Sequence, residues 1–141
     1  MQRASESERT RTYAEVTHSI RVTVRPVYLE EHSSPTDNKY VWAYHIRIEN
    51  KGTRTVQLRN RYWRITDARG RTEEVRGPGV VGKEPVISPG EAHEYTSGVP
   101  LPTPSGIMVG SYEMEDEAGG RFEVAIPAFS LDSPHQPRQL H

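Results

Sequence analysis

The feature that most constrains this chain is a two-residue alternation of apolar and polar side chains. The run HSIRVTVRPVY places Ile20, Val22 and Val24 at every second position. The run KYVWAYHIRIEN does the same from Tyr40 to Ile48, with aromatic and β-branched residues on one face. Because side chains alternate between the two faces of a strand, this pattern predicts half-buried antiparallel strands.

Two breaks in the alternation predict irregular strands. In RTVQLRNRYWRITD, Val56 and Leu58 share one parity, and the apolar residues from Trp63 onward share the other. The phase therefore changes around Asn60–Arg61, where we expect a bulge, because a slip of one residue would otherwise turn the apolar face outward. In RFEVAIPAFSL the pattern shifts across Pro127, and a residue that cannot donate to a ladder indicates an edge or a bulge.

The turn signals agree with an all-β chain. No segment shows the 3.6-residue period of a helix, and the 11 Gly and 11 Pro lie mostly between the alternating runs. The segments DARG (67–70) and EAGG (117–120) are typical of hairpin turns. About seven short strands with such turns predict a two-sheet antiparallel β-sandwich of the immunoglobulin or fibronectin type III kind.

The same patterns divide the 141 residues into one domain and two tails. Residues 1–13 are polar and charged, which predicts a flexible N-terminal tail. Residues 14–132 contain every alternating run and no linker, which predicts a single sandwich domain. Residues 133–141, SPHQPRQLH, contain little apolar material and predict a C-terminal tail.

Composition argues against several classes of function. The 18 Lys and Arg and 19 Asp and Glu give a net charge of −1, so nucleic acid is not the expected partner. The chain has no cysteine and therefore no thiolate chemistry. No stretch approaches the ~20 apolar residues of a membrane span, and the N-terminus lacks a hydrophobic secretory segment. We expect a cytoplasmic protein that does not insert into membranes.

One motif resembles a nucleotide-binding loop. GPGVVG (77–82) fits the dinucleotide fingerprint G-x-G-x-x-G, and with Lys83 it fits most of a P-loop. Both motifs need a helix directly after the glycines, but Pro85 and Pro89 fall where that helix would begin. Glu84 also stands where a P-loop has the Ser or Thr that reaches magnesium. The sequence therefore favours a connection between strands over a nucleotide site.

A smaller anion site stays open as an alternative. The backbone of Gly77, Gly79 and Gly82 could form a nest for a phosphate without a helix. Arg76 and Lys83 flank this loop and would attract the anion. The acidic residues nearby, Glu73, Glu74 and Glu84, would oppose it.

Metal binding and covalent catalysis have little support in the pattern. None of the six histidines forms a tight pair, although His45 and His93 lie on expected strands and could approach each other. The acidic run EMEDE (113–117) is typical of a solvated strand end, with weak oxygen ligation as the alternative. Ser97 in YTSGV lacks the surroundings of a nucleophile elbow and indicates a strand end and turn. We predict no metal site, no cofactor and no enzymatic activity.

Clustered aromatic residues point to recognition instead. Five of them lie close together in sequence: Tyr40, Trp42, Tyr44, Tyr62 and Trp63. Most should form the core. Any that stays exposed beside Arg59, Arg61 or Arg64 would fit a protein-binding surface, because Trp, Tyr and Arg dominate binding hot spots.

A long combination of motifs resembles the ApaG family. It comprises YHIRIENKGTRTVQLRNRYWRITDARGRTEEVRGPGVVG, then GKEPVISPGEAHEYTSGVPLPTPSGIMVGSYEM and FEVAIPAFSL. The resemblance covers roughly residues 15–141 and leaves the N-terminal tail outside it. It implies a fibronectin type III-like β-sandwich with no assigned enzymatic activity.

The resemblance also sets expectations for function. The family's label links it to cobalt and magnesium efflux, and its glycine motif, here Gly77, Gly79 and Gly82, has been regarded as a possible pyrophosphate site. Similar domains in larger eukaryotic proteins look like protein-interaction modules. We therefore expect a non-enzymatic binding module with a protein partner, or a homodimer formed edge to edge. The alternative is a small-ligand sensor that binds a phosphate or nucleotide anion at residues 76–83.

Overall fold

The computed structural model describes residues 11–135, which form an all-β fold. Nine strands are present in this range, with two short 3₁₀ turns between the second and third strands. The strands are β1 (Tyr13–Thr17), β2 (Ile20–Tyr28), β3 (Tyr40–Asn50), β4 (Val56–Asp67), β5 (Thr72–Pro78), β6 (Val86–Ile87), β7 (Ala92–Leu101), β8 (Gly106–Asp116) and β9 (Arg121–Leu131).

The strands form two antiparallel sheets, which confirms the predicted β-sandwich. The first sheet has the order β1-β2-β3-β7, and the second has the order β5-β4-β8-β9. The two-residue strand β6 pairs with the beginning of β4. Every pairing is antiparallel, so each strand presents one face to the core and one face outward.

The core contains the residues that the alternation predicted. Ile20, Val22 and Val24 of β2 are buried, and the intervening side chains point outward. In β3 all five predicted residues of one face are buried: Tyr40, Trp42, Tyr44, Ile46 and Ile48. The second sheet contributes the other half of the core, including Leu58, Trp63, Met108, Tyr112, Met114, Val124, Ile126 and Phe129.

Both predicted irregularities are present. The register of β4 with β8 shifts between Leu58 and Asn60, which returns Trp63 to the inner face. The register of β8 with β9 shifts between Met108 and Gly110, opposite the segment that contains Pro127. β9 is also the edge of its sheet, so Pro127 lies at an edge and at a bulge.

Two hairpins use the same aspartate-capped turn. The Asp67 carboxylate accepts hydrogen bonds from the backbone N–H groups of Arg69 and Arg71. Asp116 accepts the equivalent pair from Ala118 and Gly120. Gly70 and Gly119 have φ angles of +85° and +88°, which explains why the predicted DARG and EAGG turns need glycine there.

Some details differ from the sequence predictions. The strand pattern missed β1 and β6, because five and two residues give too few repeats of the alternation. YTSGV is not a strand end, because it lies within β7. The described domain extends slightly past the predicted limits of 14–132, since Tyr13 belongs to β1 and the Ser133 hydroxyl donates to the Pro104 carbonyl. The rest of the two predicted tails, 1–10 and 136–141, lies outside the described residues.

Candidate binding site at the open side of the sandwich

The two sides of the sandwich are built differently because the sheets are offset. β1 and β2 pack over β9 at one side, which we call the closed side. In the middle, Tyr44 of β3 packs on Trp63 of β4 and Phe129 of β9. At the other side, the Tyr95 side chain of β7 meets Tyr112 of β8, so β7 lies over β8, whereas β5 is two strands beyond β8 in the order of its sheet. We call this the open side, with β5 and β7 as its two edges.

The backbone of β7 presents hydrogen-bonding groups to the open side. In β3, the backbone groups of odd-numbered Val41 bond to Ser33 and Leu29, on the side of β2. Those of even-numbered Asn50 bond to Gly90 and Glu91, on the side of β7. This alternation along β3 means that the odd-numbered residues of β7 bond to β3. The N–H groups of Ala92, Glu94, Thr96 and Gly98 therefore point outward, and none has a hydrogen-bond partner within residues 11–135.

Prolines limit both open edges. Pro100 in β7 and Pro78 in β5 occupy positions whose backbone nitrogen faces outward. A proline at such a position costs the sheet no hydrogen bond, because proline has no N–H group to donate. The stretch with free donors in β7 therefore runs from Ala92 to Gly98.

Arg61 lies between the two edges of the open side. It belongs to the inner face of β4, in register with Tyr112 of β8 and Gly77 of β5. Its Nη1 donates to the carbonyls of Pro78 and Gly79 at 3.0 Å each. The side chain is half-buried and forms no salt bridge with any acidic residue of the described range.

Three tyrosine hydroxyls lie beside this guanidinium. Tyr95 of β7 and Tyr112 of β8 hydrogen-bond to each other through their hydroxyl groups, and Tyr44 of β3 is paired with Ser97 of β7 in the first sheet. Burial raises the pKa of all three, and the positive charge of Arg61 opposes this rise. The three phenols are therefore neutral and serve as hydrogen-bonding groups.

The glycine loop, residues 77–83, is a tight reversal between strands. Val80 and Lys83 exchange two backbone hydrogen bonds of 2.8 and 3.0 Å, which closes a two-residue turn. Its central residues, Val81 and Gly82, have φ angles of +48° and +77°, as a type I′ turn requires. Residue 79 has to be glycine for two reasons. Its φ is +60°, and a Cβ atom there would clash with the Lys83 carbonyl oxygen at 2.2 Å.

The structure separates the residues predicted for the anion site. Gly77 bonds within the β4–β5 ladder, and the N–H groups of Gly79, Val80 and Lys83 are already bonded to backbone carbonyls. Arg76 points to the outer face of the second sheet, where its guanidinium lies 4.5 Å above the Tyr62 ring. Lys83 lies near His93, whose pKa is lowered by burial and by the lysine charge. Arg76 and Lys83 thus flank the loop in sequence but do not converge on one point.

The two strand histidines, His45 and His93, do not form a pair. Because β3 and β7 pair with His45 opposite Thr96 and Ile48 opposite His93, the two imidazoles lie on opposite faces of the sheet. The expectation that they could approach each other is therefore wrong. Between Arg11 and His135, no group of three or more His, Asp and Glu side chains is placed to hold a metal ion.

The acidic side chains of the EMEDE segment are engaged by neighbouring residues of the domain. Glu113 accepts from Asn60 and Arg121, and Glu115 pairs with Arg59. Hydrogen bonds from the Gly120 and Ala118 amides lower the pKa of Asp116, with Arg54 nearby. These contacts account for the acidic run as part of a solvated sheet surface.

Of the aromatic cluster, only Tyr62 faces outward. It lines a cleft of about 680 Å³ on the outer face of the second sheet, together with Arg76, Ser111 and Glu123. The polar groups of this cleft bond to one another, since the Tyr62 hydroxyl donates to Glu74 and Ser111 donates to Glu123.

In the part of the chain that the structure describes, no helix is long and apolar enough to cross a membrane.

Sequence reasoning missed the free edge of β7 and the inward position of Arg61. The edge depends on strand order, which local patterns do not contain. Arg61, however, shares the parity of Trp63 and Ile65 after the predicted phase change. That parity was a readable sign that an arginine points between the sheets.

Comparison with known proteins gives a consistent identity. A model of the ApaG domain matches residues 30–116. The ApaG protein of Rhodospirillum centenum is 69% identical over 87% of this chain and 95% of its own length. That of Paramagnetospirillum magneticum is 66% identical over 92% and 99%. A solved structure from Bordetella pertussis, described as an ApaA protein, has a TM-score of 0.80 at 49% identity and covers 83% of this chain and 95% of that one. The chain therefore belongs to the ApaG family.

Proposed function

We propose that the chain is a non-enzymatic protein-interaction module that binds an extended segment of a partner along the free edge of β7. The observation that carries this proposal is the row of four outward N–H groups from Ala92 to Gly98, with carbonyls between them. An extended peptide that adds to such an edge gains affinity from the backbone and specificity from alternate side chains.

The perturbed ionisable groups support a role without catalysis. Those with a shifted pKa are mostly tyrosines buried between the sheets or members of surface ion pairs. Glu94 is typical, because hydrogen bonds from His45 and Arg47 lower its pKa. Such groups are already engaged with neighbours, whereas a general acid or base needs a proton-transfer site open to a substrate.

The test is a selection of phage-displayed random dodecapeptides against the purified protein. Thr96→Pro removes one outward N–H group of β7 without breaking a bond to β3. Thr96→Val is the matched control, because it keeps the N–H group and also loses the hydroxyl that bonds to His45. We expect selected peptides to bind wild type and Thr96→Val alike and to lose about tenfold or more in affinity on Thr96→Pro, measured by fluorescence anisotropy. Equal affinity for Thr96→Pro and Thr96→Val would show that this edge is not the site.

A second candidate is anion binding at the glycine loop. Its support is that the N–H groups of Val81 and Gly82 have no hydrogen-bond partner in the described residues. Amide shifts of the ¹⁵N-labelled protein, titrated with pyrophosphate, ATP, diadenosine tetraphosphate, Mg²⁺ and Co²⁺, test this directly. Saturable shifts confined to Arg76–Lys83 support the anion site, and their absence at millimolar ligand rejects it.

A further inference from the structure

We infer that the partner segment carries an acidic side chain that pairs with Arg61 between the edges of β5 and β7. This inference rests on the proposed function and adds the chemistry of the partner. It commits to one occupant, an extended peptide with a carboxylate at one inward-facing position.

Arg61 has unused donors in a place where an arginine is normally paired. Its two observed hydrogen bonds both come from Nη1, so Nε and Nη2 have no acceptor within residues 11–135. A half-buried guanidinium loses part of its hydration, and a carboxylate is the partner that matches its donors in pairs. The bonds to Pro78 and Gly79 hold the group in place without neutralising it.

The absence of a side chain at Gly77 exposes this guanidinium. A Cβ atom at residue 77 would lie 3.1 Å from both terminal nitrogens of Arg61. Any larger side chain on this inner face of β5 would therefore compete with the arginine for the same space. Gly77 thus has a physical role that is independent of the glycine motif's likeness to a nucleotide loop.

An added strand would bring its side chains to this point. A strand paired with β7 would lie about 4.8 Å beyond it, which places it opposite β5. Every second side chain would then point inward across the gap of about 10 Å that separates packed sheets. Arg61 is in register with Tyr112, whose hydroxyl meets that of Tyr95 near the middle of the free stretch, so an inward Asp or Glu at this level can reach Arg61.

The surrounding charges set the register of the acidic residue. Lys83 adds a second positive charge near His93. Glu84 is engaged by Arg59, and Glu74 lies on the outer face with Tyr62. Glu73 shares the inner face of β5 with Gly77 but lies four residues away, toward the other end of the strand. The partner's carboxylate is therefore favoured at the level of Arg61 and disfavoured at the level of Glu73.

The dodecapeptide selection provides the test. Among peptides whose binding depends on Thr96, we expect Asp or Glu to be enriched at one position. Replacing that residue by Asn or Gln should weaken binding to wild type by about tenfold or more, and raising the salt concentration should reduce the difference only partly. This comparison of peptides uses the wild-type protein, so its result can be interpreted even if an Arg61 variant folds poorly.

Protein variants then assign the effect to Arg61. Arg61→Gln should remove the preference for the acidic peptide over its amide analogue, and Gly77→Ala should reduce it by displacing the guanidinium. Arg25→Gln is a control on the outer face of the first sheet and should keep the preference. Thr96-dependent peptides without an acidic position would overturn this inference and leave the proposed function standing. A selection without any Thr96-dependent peptide would overturn the proposed function itself.

Discussion

The closed and open sides of this sandwich treat their edge strands in opposite ways. At the closed side, the Thr17 hydroxyl accepts from the Ala125 N–H at 3.2 Å, and the Tyr13 hydroxyl accepts from the Ser130 N–H at 3.4 Å. Side chains of β1 therefore occupy two backbone donors at the edge of β9. At the open side, the outward amides of β7 have no acceptor in the described range. The partner strand that we propose would add to the uncovered edge, because its backbone donors are not already occupied.

The largest expected effect concerns the loop that anchors the open side. Gly79→Ala should lower the free energy of unfolding by about 3 kcal/mol or more, because the new Cβ atom meets the Lys83 carbonyl and the residue keeps a positive φ. Urea denaturation followed by tryptophan fluorescence measures this loss.

Gly82→Ala is the matched variant in the same loop. Residue 82 also has a positive φ, but no atom lies within 4 Å of the point that a Cβ atom would occupy there. We expect a loss of about 1 kcal/mol, from backbone strain alone. Equal losses for the two variants would show that the contact of Gly79 with Lys83 does not shape the loop.

The next effect concerns the tyrosine pair between the sheets. Tyr112→Phe leaves the Tyr95 hydroxyl without its partner and should cost about 1–2 kcal/mol. Tyr28→Phe is the control, because the Tyr28 hydroxyl is buried and has no hydrogen-bond partner among residues 11–135. That variant should be neutral or stabilising, and a comparable loss in both would contradict the importance of the pair.

The same pair predicts a dependence on alkaline pH. Burial raises the pKa of Tyr95 and Tyr112 above the ordinary value of 10, so the folded state retains protons that the unfolded state releases. The stabilisation is complete below pH 10 and is lost as the pH rises above it, by about 1.4 kcal/mol per pH unit for each tyrosine. Tyr112→Phe should reduce this slope by about one tyrosine's share. An unchanged slope in denaturation series above pH 10 would contradict the assignment.

The smallest effect concerns the closed side. Thr17→Val removes the acceptor for the Ala125 N–H and should lower the free energy of unfolding by about 1 kcal/mol. Because valine and threonine have similar shapes, this loss reflects the hydrogen bond and not the packing. Thr23→Val is the control, since no side-chain hydrogen bond of Thr23 is present within residues 11–135 and its strand lies between two others. Denaturation midpoints of the two variants sharpen the contrast. If Thr17→Val is neutral, the closed edge is covered by packing alone.

Much of the fold could be predicted from the sequence, because burial of one face of a sheet produces an alternation of apolar and polar residues along each strand. The alternation in β2 and β3, the phase change before Trp63 and the two aspartate-glycine turns all follow from neighbouring residues. The free edge was not readable, because it depends on which strands become neighbours across long sequence separations. Arg61 lay between these cases: its parity indicated an inward side chain, but its position beside Gly77 and Tyr112 needed the tertiary structure.

The prolines at residues 78 and 100 also bear on aggregation of the protein at high concentration. An open edge that can accept a partner can also recruit unrelated chains into growing aggregates. Pro100 ends the donor row of β7 and Pro78 ends that of β5, so neither row can be extended past these points. The seven residues from Ala92 to Gly98 span about 23 Å, at about 3.3 Å per residue. The two prolines therefore deny a long aggregating strand a continuous row of backbone donors along either edge.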